Sequence, residues 1–122
     1  MIAFTMPCMQ LVNPLNTREH WGKRSRRAKA QRAAACMAFR SYANGRKVPL
    51  PAVIMLTRIS PRKFDDHDAL PASLKHVVDG VCDAIGIDDG DPQIGFAYRW
   101  ERGKPKEHAV MVRVIRAEEG AA

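Results

Sequence analysis

The spacing of apolar residues divides the chain into six segments of regular structure. Short apolar or β-branched runs predict four strands, at residues 2–7, 52–59, 94–100 and 109–115. The second of these runs is apolar enough to predict a strand that is buried on both faces. Two helices are predicted, at residues 20–42 and about 71–85. The order β-α-β-α-β-β predicts a two-layer α/β (α+β) domain, a mixed sheet with helices packed mainly on one face.

The second predicted helix has the clearest amphipathic pattern. Its apolar stripe recurs at intervals of three or four and consists of Leu74, Val77, Val78, Val81 and Ile85. Pro71 suits the first turn of this helix and Gly86 suits its end. Lys75, Asp79 and Asp83 lie together on the opposite, polar side. Lys75 and Asp79 have the spacing of an i,i+4 ion pair, and we expect Asp79 and Asp83 on an exposed face.

Length and composition indicate a single soluble domain over residues 1–122. Apolar residues make up 46% of the chain and charged residues 27%, which is ordinary for a globular protein. No apolar run approaches the ~20 residues of a membrane span, and the first residues lack the charged start of a signal peptide. We therefore expect a cytoplasmic protein with no membrane partner. Its three cysteines and four histidines show neither a disulfide framework nor zinc-ligand spacing.

Charge is strongly segregated along the sequence. Residues 18–47 contain ten Lys or Arg and one acid, a net +9, whereas residues 64–91 contain eight Asp and one Lys, a net −7. A dense cationic segment suits phosphate contacts, because each neutralised phosphate releases counterions. A solvated helix face is the alternative. With the two cations that precede the acidic segment, the candidate DNA-binding residues are Arg18, Lys23, Arg24, Arg26, Arg27, Lys29, Arg62 and Lys63.

The acids form one cluster at each end of the second predicted helix. The clusters are Asp65, Asp66 and Asp68 before the helix and Asp88, Asp89 and Asp91 after it. Helix capping is the alternative to a metal site for the first cluster, but it does not account for the second, because the helix dipole disfavours carboxylates at the C-terminal end. An ordinary turn is the alternative for the second cluster. In an extended segment Asp66 and Asp68 face the same way, so their oxygens can share a cation.

These carboxylates have the chemistry of a site for a hard divalent cation. All-oxygen ligation suits Mg²⁺ or Mn²⁺, and the candidate ligands are Asp66, Asp68, Asp88 and Asp89. Such a metal can supply a hydroxide nucleophile, and Lys75 can add a positive charge beside the attacked phosphate. The helix between the clusters is ~22 Å long at about 1.5 Å per residue. The clusters therefore meet only if the chain turns back after the helix.

In the acidic segment the chain resembles the RusA family of Holliday-junction resolvases. The family pattern D-x-D-N-L is matched by Asp66-His67-Asp68-Ala69-Leu70, except that Ala stands in place of the Asn. The lysine that follows in the pattern is matched by Lys75. The next aspartate and its helix are matched by residues 79–86, and the final D-D near Q-I/V by residues 88–94. The close match thus covers residues 66–94, and the basic helix and closing strands extend it loosely over the chain.

The resemblance implies a small homodimeric endonuclease that makes paired nicks in four-way or otherwise branched DNA, with Mg²⁺ or Mn²⁺ as cofactor. It implies that Asp66, Asp68 and Asp89 bind the metal and that Lys75 is catalytic alongside them. The segment before the last strand is longer than in the family pattern, so Asp91 also fits as third ligand. The consecutive pair of aspartates favours Asp89.

Two further functions stay open at this point. One is a catalytically impaired DNA-binding phage protein of the same fold, because Ala69 removes a polar group beside the site. The other is an RNA-processing factor. For a dimer, the candidate interface surfaces are the strand at 94–100 and the apolar second half of the first helix, which contains Cys36, Met37, Phe39 and Tyr42.

Overall fold

The structure, a computed structural model, describes residues 2–9, 11, 21–62 and 69–116. The helices and strands of these residues are β1 (Ala3–Pro7), α1 (Trp21–Ala43), β2 (Ala52–Ser60), α2 (Ala69–Ser73), α3 (Lys75–Ile85), β3 (Ile94–Arg102) and β4 (Ala109–Arg116). The four predicted strands and the first predicted helix are confirmed, with ends that differ by at most two residues. No helix in this part of the chain is long and apolar enough to cross a membrane.

The four strands form one mixed sheet in the order β1-β4-β2-β3. β2 and β3 run parallel, with Ile54 beside Phe96 and Leu56 beside Tyr98. β4 runs antiparallel to both of its neighbours, β1 and β2. Parallel strands need a crossover connection, and α2 and α3 lie on it. The predicted α/β (α+β) domain with a mixed sheet is confirmed.

The core lies between the sheet and the helices. Alternate residues of β2, such as Ile54 and Leu56, are fully buried and cluster with Phe39 of α1 and Val77 of α3. On the other face Val53, Met55 and Ile59 are only half-buried, and Thr57 is buried. The prediction that β2 is buried on both faces is therefore confirmed only in part. A run of apolar residues does not distinguish a strand covered twice from one whose second face is only partly covered.

The helix predicted at about 71–85 is interrupted. It begins at Ala69, and Leu74 separates α2 from α3. The Leu74 N–H donates to the carbonyl oxygen of Pro71 at 3.1 Å, three residues back rather than four. The Ser73 hydroxyl donates to the carbonyl oxygen of Leu70 at 2.9 Å. These short-range contacts tighten the chain at the end of α2, so the prediction of one continuous helix was wrong.

α1 and α3 cross with their backbones in contact. A Cβ atom added to Gly80 would overlap the carbonyl oxygen of Arg32 and would lie 2.8 Å from the Cβ atom of Ala35. The crossing therefore requires a residue without a side chain on α3. This close approach fixes α1 against α3 and so determines where the charged residues of the two helices meet.

Candidate active site

Lys75 lies at the centre of a small charged cluster. Its ammonium group donates hydrogen bonds to Asp79 Oδ1 at 2.9 Å and to Asp89 Oδ2 at 3.2 Å. Lys75 opens α3 and Asp79 is one turn further along, which confirms the predicted i,i+4 ion pair. The hydrogen bond to Asp79 is the main reason that the pKa of Lys75 is raised. The side chain is therefore cationic at neutral pH.

The chain turns back after α3, as a site built from both ends of the helix requires. Gly86 adopts a left-handed φ of 83°, and its N–H donates to the carbonyl oxygen of Cys82 at 2.8 Å. Further on, the Gln93 N–H donates to the Asp91 carboxylate at 2.9 Å. Asp91 thus stabilises a turn before β3, whereas Asp89 reaches the beginning of α3.

The structure places part of the predicted site. Lys75 and Asp89 are in contact, and Asp88 is exposed immediately before Asp89. Four predicted site residues lie outside the described residues: Asp66, Asp68, Arg18 and Lys63. Within the ranges that the structure describes, no group of three or more His, Cys, Asp or Glu side chains is placed to hold a metal ion.

The cationic half of α1 contains Lys23, Arg24, Arg26, Arg27, Lys29 and Arg32. It lies next to the Lys75 cluster. Burial lowers the pKa of His76, the residue after Lys75, and the positive charges of Arg27 and Arg32 on α1 act in the same direction. These two arginines are therefore close to the first turn of α3. The other predicted DNA-binding residues in the described part of the chain are all exposed: Lys23, Arg24, Arg26, Lys29 and Arg62.

Asp83 joins the two helices. Its carboxylate accepts hydrogen bonds from Arg32 Nε at 2.6 Å and from a second nitrogen of the same guanidinium at 2.8 Å. The Arg32 guanidinium holds the pKa of Asp83 below its usual range. Asp83 is exposed, as predicted, but the ion pair with Arg32 was not predicted, because it depends on α1 passing beside α3. Asp79, also expected to be exposed, is about one-fifth exposed.

An open cleft of about 540 Å³ lies beside Lys75. Its lining includes Ala72, Lys75, His76, Asp89, Phe96 and Tyr98. The sequence predicts no role for Phe96 or His76, and for Tyr98 it leaves two open: packing in the core, the default for a sheet aromatic, or stacking on a base. The available signal was the spacing of Phe96 and Tyr98, which are two residues apart on a strand and therefore face the same side. Burial raises the pKa of Tyr98, so its phenol is protonated at neutral pH.

The environment of His76 yields a prediction about stability. Burial lowers the pKa of His76 from its ordinary value of 6.5; Lys75, Arg27 and Arg32 lower it further, and Asp79 opposes them. Between the lowered pKa and 6.5 the unfolded chain binds more protons than the folded protein, so stability decreases as the pH falls through this window. We expect the melting temperature to decrease more steeply below pH 6.5 in the wild type than in His76→Gln. Parallel melting curves for the two proteins would contradict this prediction.

Comparison of the chain with family models, with curated proteins and with solved structures finds no match. The residues around Lys75 and their contacts are therefore the basis for a function.

Proposed function

We propose that the protein is a metal-dependent endodeoxyribonuclease that cuts branched DNA such as a four-way junction. The observation that carries the proposal is the 3.2 Å contact between Lys75 and Asp89. These residues come from opposite ends of the segment that contains α3, and they meet beside the cationic half of α1. The proposal thus has three groups next to one another: a carboxylate for a metal, an ammonium group for a phosphate and a cationic surface for the DNA backbone.

The donor atoms of this site fit a hard divalent cation. Lys75 contacts Asp89 through Oδ2, and about half of the Asp89 side chain remains accessible. In the proposal Mg²⁺ or Mn²⁺ is held by Asp66, Asp68, Asp88 and Asp89. When bound, the metal supplies a hydroxide nucleophile and neutralises phosphate charge. Of the two alternative third ligands, Asp89 is preferred, because it lies beside Lys75, whereas the Asp91 carboxylate stabilises the turn before β3.

Lys75 stabilises negative charge on the phosphate in this proposal. A lysine ammonium group has three N–H donors and no acceptor. Two of them are directed at Asp79 and Asp89, which leaves the third for a phosphate oxygen. Asp79 is then a positioning residue, since it contacts Lys75 and holds the ammonium group in place. A positive charge of this kind lowers the barrier only where charge develops in the transition state.

The cationic half of α1 binds the DNA backbone in this proposal. Replacing Arg24, Arg26 and Arg27 together with Ala should weaken binding to a similar extent for all DNA sequences. The slope of log K against log salt should become less negative by up to ~2.7, at ~0.9 for each lost phosphate contact. A matched control replaces two exposed arginines of the sheet, Arg99 and Arg113, and should leave the slope nearly unchanged. An unchanged slope in the α1 variant would indicate a solvated helix face.

Two copies of the chain act together in the proposal. A four-way junction is close to two-fold symmetric, and resolving it needs two nicks, whereas the chain has one acidic site. A two-fold symmetric homodimer matches that substrate. Of the interface candidates on α1, Phe39 is buried in the core, whereas Met37 is 71% exposed and Tyr42, which stacks on Phe4, is 51% exposed. Sedimentation should give a species near twice the chain mass of 13.6 kDa.

The direct test incubates a labelled four-way junction with the protein and Mg²⁺ or Mn²⁺. Paired nicks on strands of like polarity support the nuclease. A retarded band without products at any metal concentration supports the DNA-binding alternative. That alternative is favoured by Ala69, a fully buried residue that stands where the RusA pattern has Asn. Preference for structured RNA over DNA junctions would support an RNA-processing factor.

A further inference from the structure

The cleft beside Lys75 has the size and composition of a binding site for a small, flat ligand. Its volume of about 540 Å³ lies within the range of about 300–1,000 Å³ that is usual for small-molecule sites. One side is formed by Phe96 and Tyr98, which are two residues apart on β3, and the other by Ala72 of α2 and His76 of α3. The walls therefore combine aromatic rings with small side chains, which leave space between them.

The aromatic pair is held rigidly at the edge of the sheet. Phe96 is paired with Ile54 and Tyr98 with Leu56 in the parallel register of β3 with β2, and both aromatic side chains are only partly buried. They pack against the core and yet line the open cleft. Rings that are fixed on one side and accessible on the other are suited to stack on a planar ligand.

The charges around the cleft favour a ligand that is attached to a phosphate backbone. Asp89, a metal ligand in the proposed function, lines the cleft together with Lys75. The cations beside the cleft are Lys75 and Arg27 of α1, which is close enough to affect the pKa of His76. A nucleotide combines a flat base for the aromatic wall with a phosphate for these cations. Each base has a π face, so stacking of this kind tolerates any sequence.

We propose that the cleft receives one unpaired nucleobase from the DNA strand that is cut, an inference that rests on the proposed nuclease function. A base inside a duplex is stacked on both faces and cannot enter. Unpairing and unstacking a base costs least where the helix is already interrupted. Insertion of a base next to Lys75 therefore makes cleavage depend on a branch point and places the adjoining phosphate near the ammonium group. The cleft thus provides a physical reason for selectivity towards branched over continuous DNA.

Photo-crosslinking tests the proposal without requiring cleavage. Junctions that carry 5-iododeoxyuridine at single positions near the crossover are bound in Ca²⁺ or without a divalent metal and are irradiated, and the crosslinked residue is identified by mass spectrometry. We expect crosslinks to Tyr98, Phe96 or His76 from one or two positions beside the branch. The same substitution in a continuous duplex should give none. Crosslinks that map only outside the cleft, with junction binding intact, would overturn the proposal.

Two variants measure the contribution of the cleft to selectivity. Tyr98→Leu removes one ring but keeps an apolar side chain, and Ala72→Met fills the cleft from the side of α2 while leaving Tyr98 in place. Each should reduce the ratio of junction affinity to duplex affinity by about tenfold, the size of one base–aromatic stack. The control Trp21→Leu alters an aromatic that is 75% exposed on α1, outside the cleft. Trp21 lies in the half of α1 that binds the DNA backbone in the proposal, so any loss of binding should be equal for junction and duplex. The control should leave the ratio unchanged, and an unchanged ratio in both cleft variants would overturn the proposal.

The outcomes for the cleft and for the nuclease are distinguishable. A junction that crosslinks to Tyr98 but is not cut under any metal condition would overturn the nuclease and support the base-binding cleft. A junction that receives paired nicks but crosslinks to no cleft residue would overturn the cleft and support the nuclease. A protein that binds no branched DNA would overturn both.

Discussion

Replacing Lys75 with Met should reduce the rate of junction nicking by about 100- to 1,000-fold, the usual cost of removing one group that stabilises transition-state charge. The ammonium group is held between Asp79 and Asp89 by hydrogen bonds of 2.9 and 3.2 Å. Methionine keeps most of the side-chain length and removes the charge. Because Lys75 is about half exposed, the loss of its surface ion pairs should change stability by less than about 1 kcal/mol. Single-turnover nicking of a labelled junction measures the effect.

Arg32→Met provides a matched control for this variant. Arg32 is as exposed as Lys75 and is also paired with a carboxylate, that of Asp83, but it lies on α1 and lines no part of the cleft. We expect its nicking rate to stay within about fivefold of the wild type, which is the range of a surface charge. Junction affinity should be similar for both variants. A Lys75→Met protein that nicks at the wild-type rate would show that the site lies elsewhere.

The prediction of the fold succeeded where a single physical pattern dominates. The apolar stripe at Val77, Val78 and Val81 identifies α3, because one helical face must be buried against the sheet. The prediction failed at Leu74, which separates α2 from α3. A local contact determined that break: the Ser73 hydroxyl bonds to a carbonyl three residues back. Such contacts compete with the hydrogen bonds of the helix, and the free-energy difference between the two is small. The spacing of apolar residues does not reveal them.

The prediction of the site also succeeded where the sequence shows a clear pattern and failed where tertiary contacts decide the structure. The two acidic clusters and Lys75 are visible in the sequence as charge, and the contact of Lys75 with Asp89 agrees with the expected return of the chain. The cleft could not be predicted, because it depends on the register that places Phe96 beside Ile54 and on the position of α2 over β3. The Arg32–Asp83 pair was missed for a related reason, since the crossing of α1 and α3 is a tertiary feature.

The crossing of α1 and α3 leads to the second prediction with a large expected effect, which concerns stability. Gly80→Ala should lower the free energy of unfolding by about 2 kcal/mol. A new methyl group in a close-packed contact costs about 1–3 kcal/mol, and here it would overlap the carbonyl oxygen of Arg32, a backbone atom that cannot rotate away. The cost is therefore at the upper end, and the better helix propensity of alanine returns about 1 kcal/mol. Urea unfolding with an unchanged m-value would report the difference as a lower midpoint.

The sign of the Gly80→Ala effect is what makes this measurement decisive. If α1 did not pass over Gly80, the substitution would stabilise α3 by about 1 kcal/mol through helix propensity alone. Gly90→Ala is the matched control, because an added Cβ atom at Gly90 has no neighbour within 4 Å, and its effect should stay within about 0.5 kcal/mol. A destabilised Gly80→Ala protein should also lose salt-dependent junction binding and nicking together as the temperature rises. Both depend on the cations of α1 staying beside Lys75, and this crossing is what holds them there.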